Sequence, residues 1–410
     1  MKEQLQDFFC DLHIHIGRAS DGQPVKITAS DSLNFSSIAR EAAGRKGLDL
    51  IGIIDCASPS VIKDIETALQ SGEMTRLTEG GLQYQDLVII PGAEVESRED
   101  NGGQAHYLAY FPSVEILKEF STIMDQYITN INLSSQVTGL TGSELFTIVD
   151  GLGGIFMPAH AFTPHKSFYG SCATRFTEVF SPEEWSRIPA LELGLSADSS
   201  LAAHLQELED KTFLSNSDAH SLPKIAREYN KIAMKELNFE EFRLAVNREQ
   251  GRRVVENYGL DPRLGKYHRS FCPDCQQSFS GAEVVLTCPQ CGLEDLVVGV
   301  RDRVLEIAGN DQTAGGATGK EETAPGNDNW QQKQSYTYQV PLLDIPGIGT
   351  KTLEKLLAEF GTEMAVLHEA DKSGLTAVVK EKLTARIIRA RNGHSKIKSG
   401  GGGTYGQVVG

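Results

Sequence analysis

The chain contains 410 residues with a mass of 44.7 kDa, and its formal net charge at pH 7 is −16. Because most domains hold about 100–200 residues and barrels reach about 250, this length predicts two or three structural units. Hydrophobic residues make up 40% of the chain, and no apolar run approaches the ~18 residues of a membrane span, which excludes an integral membrane protein. We expect a cytoplasmic protein, since residues 1–15 lack the order of a signal peptide or a lipid anchor.

The negative charge is unevenly distributed along the chain. Residues 1–261 contain 22 basic and 38 acidic side chains, whereas residues 262–410 contain 17 of each. Between Lys380 and Lys398, seven basic residues accompany a single acid, Glu381. The net charge therefore argues against nucleic-acid binding only for the N-terminal part, because phosphate backbones are bound mainly by basic residues.

Residues 1–261 alternate short apolar runs with helical segments. The runs include LDLIGIID, LVIIPGAE and GGIFMPAH, and the helical segments include 59–71 and 236–249. Apolar runs of this length between helices predict a buried parallel sheet or a (β/α) barrel. In such barrels, functional residues collect at the carboxyl ends of the strands.

Metal-ligand side chains lie at the ends of these apolar runs. The motif DLHIH at residues 11–15 sends two imidazoles to the same face of a strand. Two unrelated strand histidines would explain this motif alone equally well. However, ligand-type residues recur at or beside the later runs: Asp55, Glu94, His106, His160, Asp218 and His220. The recurrence favours a divalent-metal site, in which carboxylates offset the charge of the ions.

The order D-L-H-x-H, strand-end Asp, G-x-E, His, P-x-H and S-D-A-H resembles the PHP (polymerase and histidinol phosphatase) family of metal-dependent phosphoesterases over about residues 9–255. The resemblance implies an α/β fold built on a distorted (β/α)7 PHP barrel, here residues 1–261. It also implies that four side chains hold one metal, namely His13, His15, Glu94 and Asp218. Glu94 would bridge to a second metal held by His106 and His160.

The family often has a third metal site, and its pattern is incomplete here. The second motif reads Asp55-Cys56, and of the third-site histidines only His220 is present. We therefore expect two divalent active-site metals, with zinc, manganese and magnesium as the candidates. Cys56 is either a thiolate ligand or a small buried residue, and free cysteines are commonly buried.

Further polar residues near these motifs allow two interpretations each. Lys166, in the loop 163–169 beside His165, and Arg227 are candidates for phosphate contact, but ordinary surface positions would explain both. Glu192 belongs either to the site or to the framework. His204 lies in a helical pattern and is expected on a helix surface.

Four of the seven cysteines form two C-P-x-C pairs, at Cys272, Cys275, Cys288 and Cys291. The pairs are separated by twelve residues, a spacing typical of a tetrahedral structural zinc site. We expect a zinc module over residues 262–308 that folds around its ion. Such modules either contact nucleic acid or brace neighbouring domains.

Residues 309–340 are rich in Gly, Thr, Asn and Gln, which predicts a flexible linker, and the Gly-rich segment 394–410 predicts a disordered tail. Between them, residues 341–393 are helical in pattern. The sequence PGIGTK at residues 346–351 resembles the helix-hairpin-helix of DNA repair proteins. Gly347 and Gly349 would let backbone N–H groups approach a phosphate, and Lys351 adds charge. A glycine turn between core helices is the alternative, but the adjacent basic run favours DNA.

A PHP barrel, a four-cysteine module and a helix-hairpin-helix, in this order, resemble the endonuclease Q family over about residues 9–393. The resemblance implies a DNA repair endonuclease that cuts 5′ to a deaminated base (uracil, hypoxanthine or xanthine) or an abasic site, leaving a 3′-hydroxyl and a 5′-phosphate. The damaged nucleotide would be turned out of the stack into a pocket beside the metals. A sliding clamp is one candidate partner. The alternatives are a small-molecule PHP phosphomonoesterase and a non-catalytic DNA-binding scaffold.

Overall fold

The computed structural model describes residues 4–314 and 334–409, which form a mixed α/β fold. The strands are β1 (Gln6–Ile14), β2 (Leu50–Ile53), β3 (Thr75–Arg76), β4 (Leu82–Tyr84), β5 (Leu87–Glu96), β6 (His106–Tyr110), β7 (Ile155–Pro158), β8 (Ala190–Glu192), β9 (Thr212–Leu214), β10 (Tyr229–Met234), β11 (Arg253–Gly259), β12 (Phe271–Cys272), β13 (Gln277–Ser278), β14 (Ser335–Tyr338), β15 (Lys396–Lys398) and β16 (Gln407–Val409).

The α-helices lie mainly between these strands in the N-terminal part and follow one another in the C-terminal part. They are α1 (Phe35–Glu41), α2 (Pro59–Ser71), α3 (Val114–Met124), α4 (Gly142–Gly151), α5 (Pro182–Arg187), α6 (Ser199–Ala202), α7 (Phe239–Val246), α8 (Val300–Ala314), α9 (Thr350–Phe360), α10 (Lys372–Val378) and α11 (Glu381–Arg391). Within the described residues, none of the helices has the length and apolar character needed to cross a membrane.

Within the part of the chain that the structure describes, ten strands pair into one mixed sheet, which corrects the expectation of a parallel sheet. β1, β2 and β5 run parallel, but β10 is antiparallel to β1, and β6 is antiparallel to both β5 and β7. Only the nine residues 97–105 connect β5 to β6. A parallel crossover needs about a dozen residues or more, so this short connection forces an antiparallel pair.

The separate parallel pair of β8 and β9 lies beside the large sheet. β8 is adjacent to β7, and β9 is adjacent to β11, so the strands surround a common interior. The seven-stranded count of the expected barrel stays a prediction.

The predicted helices and buried strands have clear local causes. Every residue of β2 and β5 is buried, which explains their continuous apolar runs. The segment predicted at 59–71 is α2, and the segment predicted at 236–249 is the shorter α7. The Asn238 side chain caps α7 by accepting a hydrogen bond from the amide of Glu241.

The linker expected at 309–340 is shorter in the structure. Helix α8 continues through the first residues of this range, and β14 pairs in parallel with β11 at its far end. The edge of β11 supplies backbone hydrogen-bond partners to β14, and the composition of a segment cannot predict such a distant pairing. The flexible linker predicted for the remaining residues, 315–333, lies outside the described residues.

The disordered tail expected at 394–410 is also wrong over most of its length. β15 and β16 form an antiparallel hairpin, with Ile397 opposite Val408. Gly402 and Gly403 adopt positive φ values of 57° and 79°, which the turn of this hairpin requires. The low-complexity glycine run therefore builds a turn that docks on the rest of the protein.

Helices α9–α11 pack against the N-terminal part through polar contacts as well as apolar ones. Lys46 donates a hydrogen bond to Glu363 at 2.9 Å, and both side chains are buried. The hydroxyl of Tyr229 lies 2.7 Å from Nε2 of His368. These contacts join the C-terminal helices to the sheet that carries the candidate site.

Candidate active site and metal centres

Side chains from different strand ends converge at one end of the central sheet. His13 lies near the end of β1, Glu94 in β5 and His106 at the start of β6. His160 follows β7 and Asp218 follows β9, and both have positive φ values, 29° and 44°. Positive φ is uncommon in residues with a Cβ, and such backbone strain collects at functional sites.

The first group contains the four side chains expected to hold one metal. Nε2 of His13 lies 3.3 Å from Nε2 of His15, and each of these nitrogens lies within 3.9 Å of a carboxylate oxygen of Glu94. Oδ1 of Asp218 is 3.6 Å from His13 Nε2 and 3.3 Å from His15 Nε2. A tetrahedral ion with bonds of about 2.0–2.2 Å separates its ligand atoms by roughly 3.3–3.6 Å, so the spacing suits a shared ion.

Glu94 also belongs to a second group, with His106 and His160. Its Oε1 lies 3.0 Å from His106 Nδ1 and 3.5 Å from His160 Nε2. One carboxylate thus faces both groups, which is the arrangement that the PHP resemblance implied for a bridging ligand. His15, Asp218 and His220 form a third group, in which His220 Nε2 lies 3.2 Å from Asp218 Oδ1.

Three further carboxylates orient the imidazole rings from behind. Glu192 binds Nδ1 of His13 at 3.0 Å, and Glu96 lies 3.1 Å from Nε2 of His106. Asp55, expected among the metal ligands, instead lies 3.0 Å from Nδ1 of His15, the nitrogen opposite the one that faces the group. Such hydrogen bonds fix the ring orientation and the tautomer of metal-ligating histidines.

The electrostatics of the site balance buried acids against imidazoles and a lysine. Burial alone would raise the pKa of Glu94, but His106 and Lys26 outweigh it and hold that pKa well below its usual range. Burial lowers the pKa of His13, but the charges of Glu192 and other nearby carboxylates outweigh it and raise the pKa to about 10. The surrounding carboxylates therefore favour a positive charge at His13.

Lys26 is a site residue that the sequence analysis missed. Its Nζ donates a hydrogen bond to Glu94 Oε2 at 2.8 Å and a second one to Ser135. The lysine lies in the connection between β1 and α1, where no motif marks it. The missed Glu96 had a better signal, because it lies two residues after Glu94 on the same strand and so faces the same side.

Cys56 is a buried residue of the hydrophobic core and belongs to none of the candidate metal groups among the described residues. Burial raises the pKa of its thiol well above the ordinary value. Both observations favour the structural interpretation over the thiolate ligand.

The two candidate phosphate contacts lie at the rim of the site. Lys166 is half-exposed and donates a hydrogen bond to Glu96 at 2.7 Å. Arg227 lies outside the helices and donates to the backbone oxygens of Ser217 at 2.6 Å and Asp218 at 3.1 Å. His204 lies just after α6 and is 3.1 Å from the Ser200 carbonyl oxygen, away from the metal groups.

A cavity of about 240 Å³ opens beside the metal groups. Its walls come from strand ends, from the segment before the cysteine module and from the C-terminal hairpin, and they include His160, Asn216, Asp218, Lys266, Tyr267 and Tyr405. Pockets for drug-sized ligands have volumes of about 300–1,000 Å³, so this one suits a smaller group such as a single nucleobase.

The four cysteines converge as the sequence predicted. Sγ of Cys272 lies 3.7 Å from Sγ of Cys291, and Sγ of Cys275 lies 3.8 Å from Sγ of Cys288. A tetrahedral zinc with Zn–S bonds of about 2.3 Å separates its sulfurs by about 3.8 Å. Backbone hydrogen bonds, led by the one from Cys291, lower the pKa of Cys288 to about 6, whereas the side-chain hydrogen bond with Cys291 and burial raise the pKa of Cys275 to about 12.

The glycine turn before α9 is open at the helix N-terminus. Gly347 has a φ of 96°, and Gly349 is the N-cap residue without a side-chain hydrogen bond to the first turn. Arg386 holds the turn by donating to the carbonyl oxygen of Pro346 at 2.7 Å, and Lys351 is exposed. The first backbone hydrogen bond of the helix comes from the Thr352 amide, so the amides of Thr350 and Lys351 are the ones open to an anion.

The chain is similar to known proteins over nearly its whole length. No protein-family model matches the chain. The chain is 43% identical over 406 residues to the uncharacterized protein YqxK of Bacillus subtilis (strain 168), covering 98% of this chain and 100% of that protein.

Two solved structures match the fold with a TM-score of 0.78 and 30% sequence identity. One is the lesion-specific endonuclease PfuEndoQ from Pyrococcus furiosus, covering 98% of this chain and 95% of that chain. The other is an endonuclease Q in complex with a 27-mer duplex substrate that has an abasic lesion at the active site, covering 98% of this chain and 96% of that chain. The family resemblance expected from the motif order is confirmed, and the chain belongs to the endonuclease Q family of endonucleases.

Proposed function

We propose that the protein is a divalent-metal-dependent DNA repair endonuclease. It cuts the phosphodiester 5′ to a deaminated base or an abasic site and leaves a 3′-hydroxyl and a 5′-phosphate. The observation that carries the proposal is the pair of ligand groups sharing Glu94 beside a cavity of nucleobase size. The abasic duplex at the active site of the solved endonuclease Q supports the choice of substrate.

The donor atoms of the site fit two divalent ions. Imidazole nitrogens and carboxylate oxygens suit zinc and manganese, and the spacing within each group suits one ion. His13, His15, Glu94 and Asp218 would hold the first ion, and Glu94, His106 and His160 the second. When bound, the ions would supply an activated water and neutralise the charge that develops on the phosphate.

The remaining groups of the site position the substrate. Arg227, fixed by two backbone carbonyl groups, holds its guanidinium beside Asp218 and can bind a phosphate oxygen. Lys166, which donates a hydrogen bond to Glu96, offers a second cation near the second metal group. His13, His15 and Glu94 are buried, whereas the Asp218 side chain is one-third exposed, so the reacting phosphodiester must leave the DNA helix and approach from the side of Asp218.

The cavity accounts for lesion choice in this proposal. A mispaired or missing base costs less to turn out of the stack than a paired one, so damaged nucleotides reach the cavity preferentially. Asn216 lines the cavity as a buried side chain whose amide donates to Glu192 at 3.1 Å, so it supports the cavity wall.

The C-terminal parts would hold the duplex. Gly347, Gly349 and Lys351 form an anion-binding turn at the start of α9, and such phosphate contacts are independent of base sequence. The four cysteines would hold one structural zinc. We expect the enzyme to act in the cytoplasm on the chromosome, and a sliding clamp as recruiting partner stays a prediction.

One incubation tests the proposal. The intact protein is mixed with a duplex that carries a single deoxyuridine, deoxyinosine or abasic site, with Mn²⁺, Mg²⁺ or Zn²⁺ or with EDTA. We expect metal-dependent nicking on the 5′ side of the lesion, abolished in Asp218→Asn. Asp125→Asn, an exposed aspartate at the end of α3, is the matched control and should retain activity.

The same preparation is also given a small phosphomonoester. Hydrolysis of this compound without nicking of any damaged duplex would replace the nuclease by the phosphomonoesterase alternative. Full DNA-repair activity in Asp218→Asn would instead support the non-catalytic scaffold.

A further inference from the structure

The C-terminal hairpin of β15 and β16 brings an aromatic side chain to the cavity beside the metal groups. Tyr405, in the turn region of this hairpin, lines the cavity together with His160 and Asp218. The Tyr405 side chain is 40% exposed and lies at the mouth of the cavity. Exposed tyrosines facing such a cavity are typical of ligand contact sites.

The hairpin is anchored tightly enough to hold this side chain in position. The amide of Gly400 donates to the Arg263 carbonyl oxygen at 2.8 Å, and the amide of Gly406 donates to the Leu264 carbonyl oxygen at 2.9 Å. A Cβ on Gly402 would lie 2.6 Å from the ring of Phe271, so only glycine allows this approach. The glycine-rich segment thus anchors the backbone both before and after Tyr405.

Two cations surround the ring of Tyr405. Nζ of Lys266 lies 4.7 Å from the ring centroid, and the guanidinium carbon of Arg227 lies 5.9 Å from it. Nη1 of Arg227 also reaches the tyrosine hydroxyl at 3.5 Å. Because Arg227 also binds the carbonyl oxygen of Asp218, the ring is connected to a metal-ligand residue by a short series of contacts.

We propose that Tyr405 is a specificity-determining residue that stacks on the base of the damaged nucleotide. The inference rests on the proposed function, because it assumes that a damaged nucleotide enters the cavity. Base–aromatic stacking tolerates different bases, since each base has a π-face, which suits an enzyme acting on uracil, hypoxanthine and xanthine. Lys266 and Arg227 lie over the ring in the free protein, and on DNA binding they would turn to the flanking phosphates and leave a ring face to the base.

The proposal distinguishes lesions with a base from a lesion without one. An abasic site offers no π-face, so the stacking contribution of Tyr405 is absent for that substrate. Stacking is commonly worth about 1–3 kcal/mol per base on alanine substitution, and about 1.4 kcal/mol corresponds to tenfold. Removing the ring should therefore change the preference between substrates.

The test compares kcat/KM for duplexes with one deoxyuridine, one deoxyinosine or one abasic site, using the wild type, Tyr405→Ala and Tyr405→Phe. We expect Tyr405→Ala to lower the uracil-to-abasic and hypoxanthine-to-abasic ratios of kcat/KM roughly tenfold. Tyr405→Phe keeps the π-face and should restore most of each ratio. Tyr127→Ala removes an equally exposed tyrosine elsewhere and should leave the ratios unchanged.

A ratio of kcat/KM values between two substrates separates a defect in recognition from a defect in folding. A variant with a damaged fold would lose activity on all three duplexes equally, and equal losses would overturn the inference, as would unchanged ratios in Tyr405→Ala. If the wild type cleaves none of the duplexes, the proposed function itself fails.

Discussion

Each imidazole of the first metal group depends on a carboxylate that does not face the ion. One of these carboxylates, Glu192, also accepts hydrogen bonds from the amide of His160 at 2.8 Å and from Asn216 at 3.1 Å. It therefore positions residues of both metal groups and one wall of the cavity. A carboxylate that the sequence left undecided is a central support of the site.

The first prediction concerns this support. Glu192→Gln removes the charge behind His13 and should lower metal affinity or cleavage by about 10–100-fold, with partial rescue at high metal concentration. Metal titration and cleavage assays measure both effects. Glu119→Gln, on an exposed face of α3, is the control. Unchanged metal affinity in Glu192→Gln would refute the positioning role.

A second buried acid has a different consequence. Burial raises the pKa of Glu228 from 4.5 to about 8, and one of its oxygens has no partner within the described residues, while the other accepts a hydrogen bond from the Leu260 amide at 2.8 Å. Between these two pKa values the folded state binds more protons than the unfolded state. The free energy of unfolding should therefore fall as pH rises through this window, by up to about 1.4 kcal/mol per pH unit.

The second prediction follows from this sign. Glu228→Gln keeps an acceptor for Leu260 and removes the titration, so the variant should be more stable than the wild type above about pH 8 and similar to it near pH 4.5. Urea unfolding across this range measures the difference. Exposed Glu73→Gln should show the wild-type pH profile. A constant difference at all pH values would contradict the linkage.

At the scale of elements, the cysteine module has almost no core apart from its sulfurs. Its small apolar group consists of Cys272, Cys288 and Leu296, with a few partly buried neighbours. An element of this size needs its ion to fold, because it cannot bury enough apolar surface.

The third prediction is the metal content of this module. Cys275→Ser should lose about one zinc per chain relative to the wild type and lower the stability of the module. Cys172→Ser, at a cysteine distant from these sulfurs in the sequence, should keep that zinc. Elemental analysis of the purified proteins measures the content, and equal zinc in all of them would contradict a structural site.

The turn before α9 contacts DNA, in our proposal, through its backbone and one lysine. Such contacts neutralise phosphate charge without reading sequence, so they appear in the salt dependence of binding.

The fourth prediction is that Lys351→Ala weakens binding similarly for damaged and undamaged duplexes and reduces the slope of log Kd against log salt by about 1. Lys63→Ala, at an exposed position of α2, should leave the slope unchanged. Fluorescence anisotropy over a salt series measures both slopes. A loss restricted to damaged duplexes would assign Lys351 to lesion recognition instead.

At the scale of the whole molecule, a buried ion pair joins the C-terminal helices to the N-terminal part. Lys46 follows α1, and Glu363 follows α9, so the pair crosses between the sheet-based part and the helical part. Removing one partner of a buried pair is costly because it leaves the other charge unpaired, whereas replacing both with apolar groups is often neutral.

The fifth prediction uses this asymmetry. Lys46→Met should lower the free energy of unfolding by about 3–5 kcal/mol, and adding Glu363→Leu should recover much of the loss. Chemical denaturation of both variants measures the two changes. Losses that simply add would show that the pair does not couple the two parts.

The sequence by itself predicted candidate metal ligands, the four-cysteine cluster and the glycine turn before α9, and the structure brings the four cysteines together. Each is carried by a short motif whose residue types and local spacing already specify the chemistry. Strand alternation then placed His13 and His15 on one face, and the structure brings both to Glu94 and Asp218. Composition and local pattern were less informative about strand direction and about the glycine-rich C-terminus. Strand pairing depends on which strand edges are free in distant parts of the chain.

Only the tertiary structure decided which side chains support and surround the site. Glu192 meets His13 across 179 residues of sequence, and Lys26 meets Glu94 across 68. Tyr405 reaches the cavity only because the C-terminal hairpin docks beside Leu264. These contacts join distant segments through packing and hydrogen bonds, so local sequence periodicity cannot predict them.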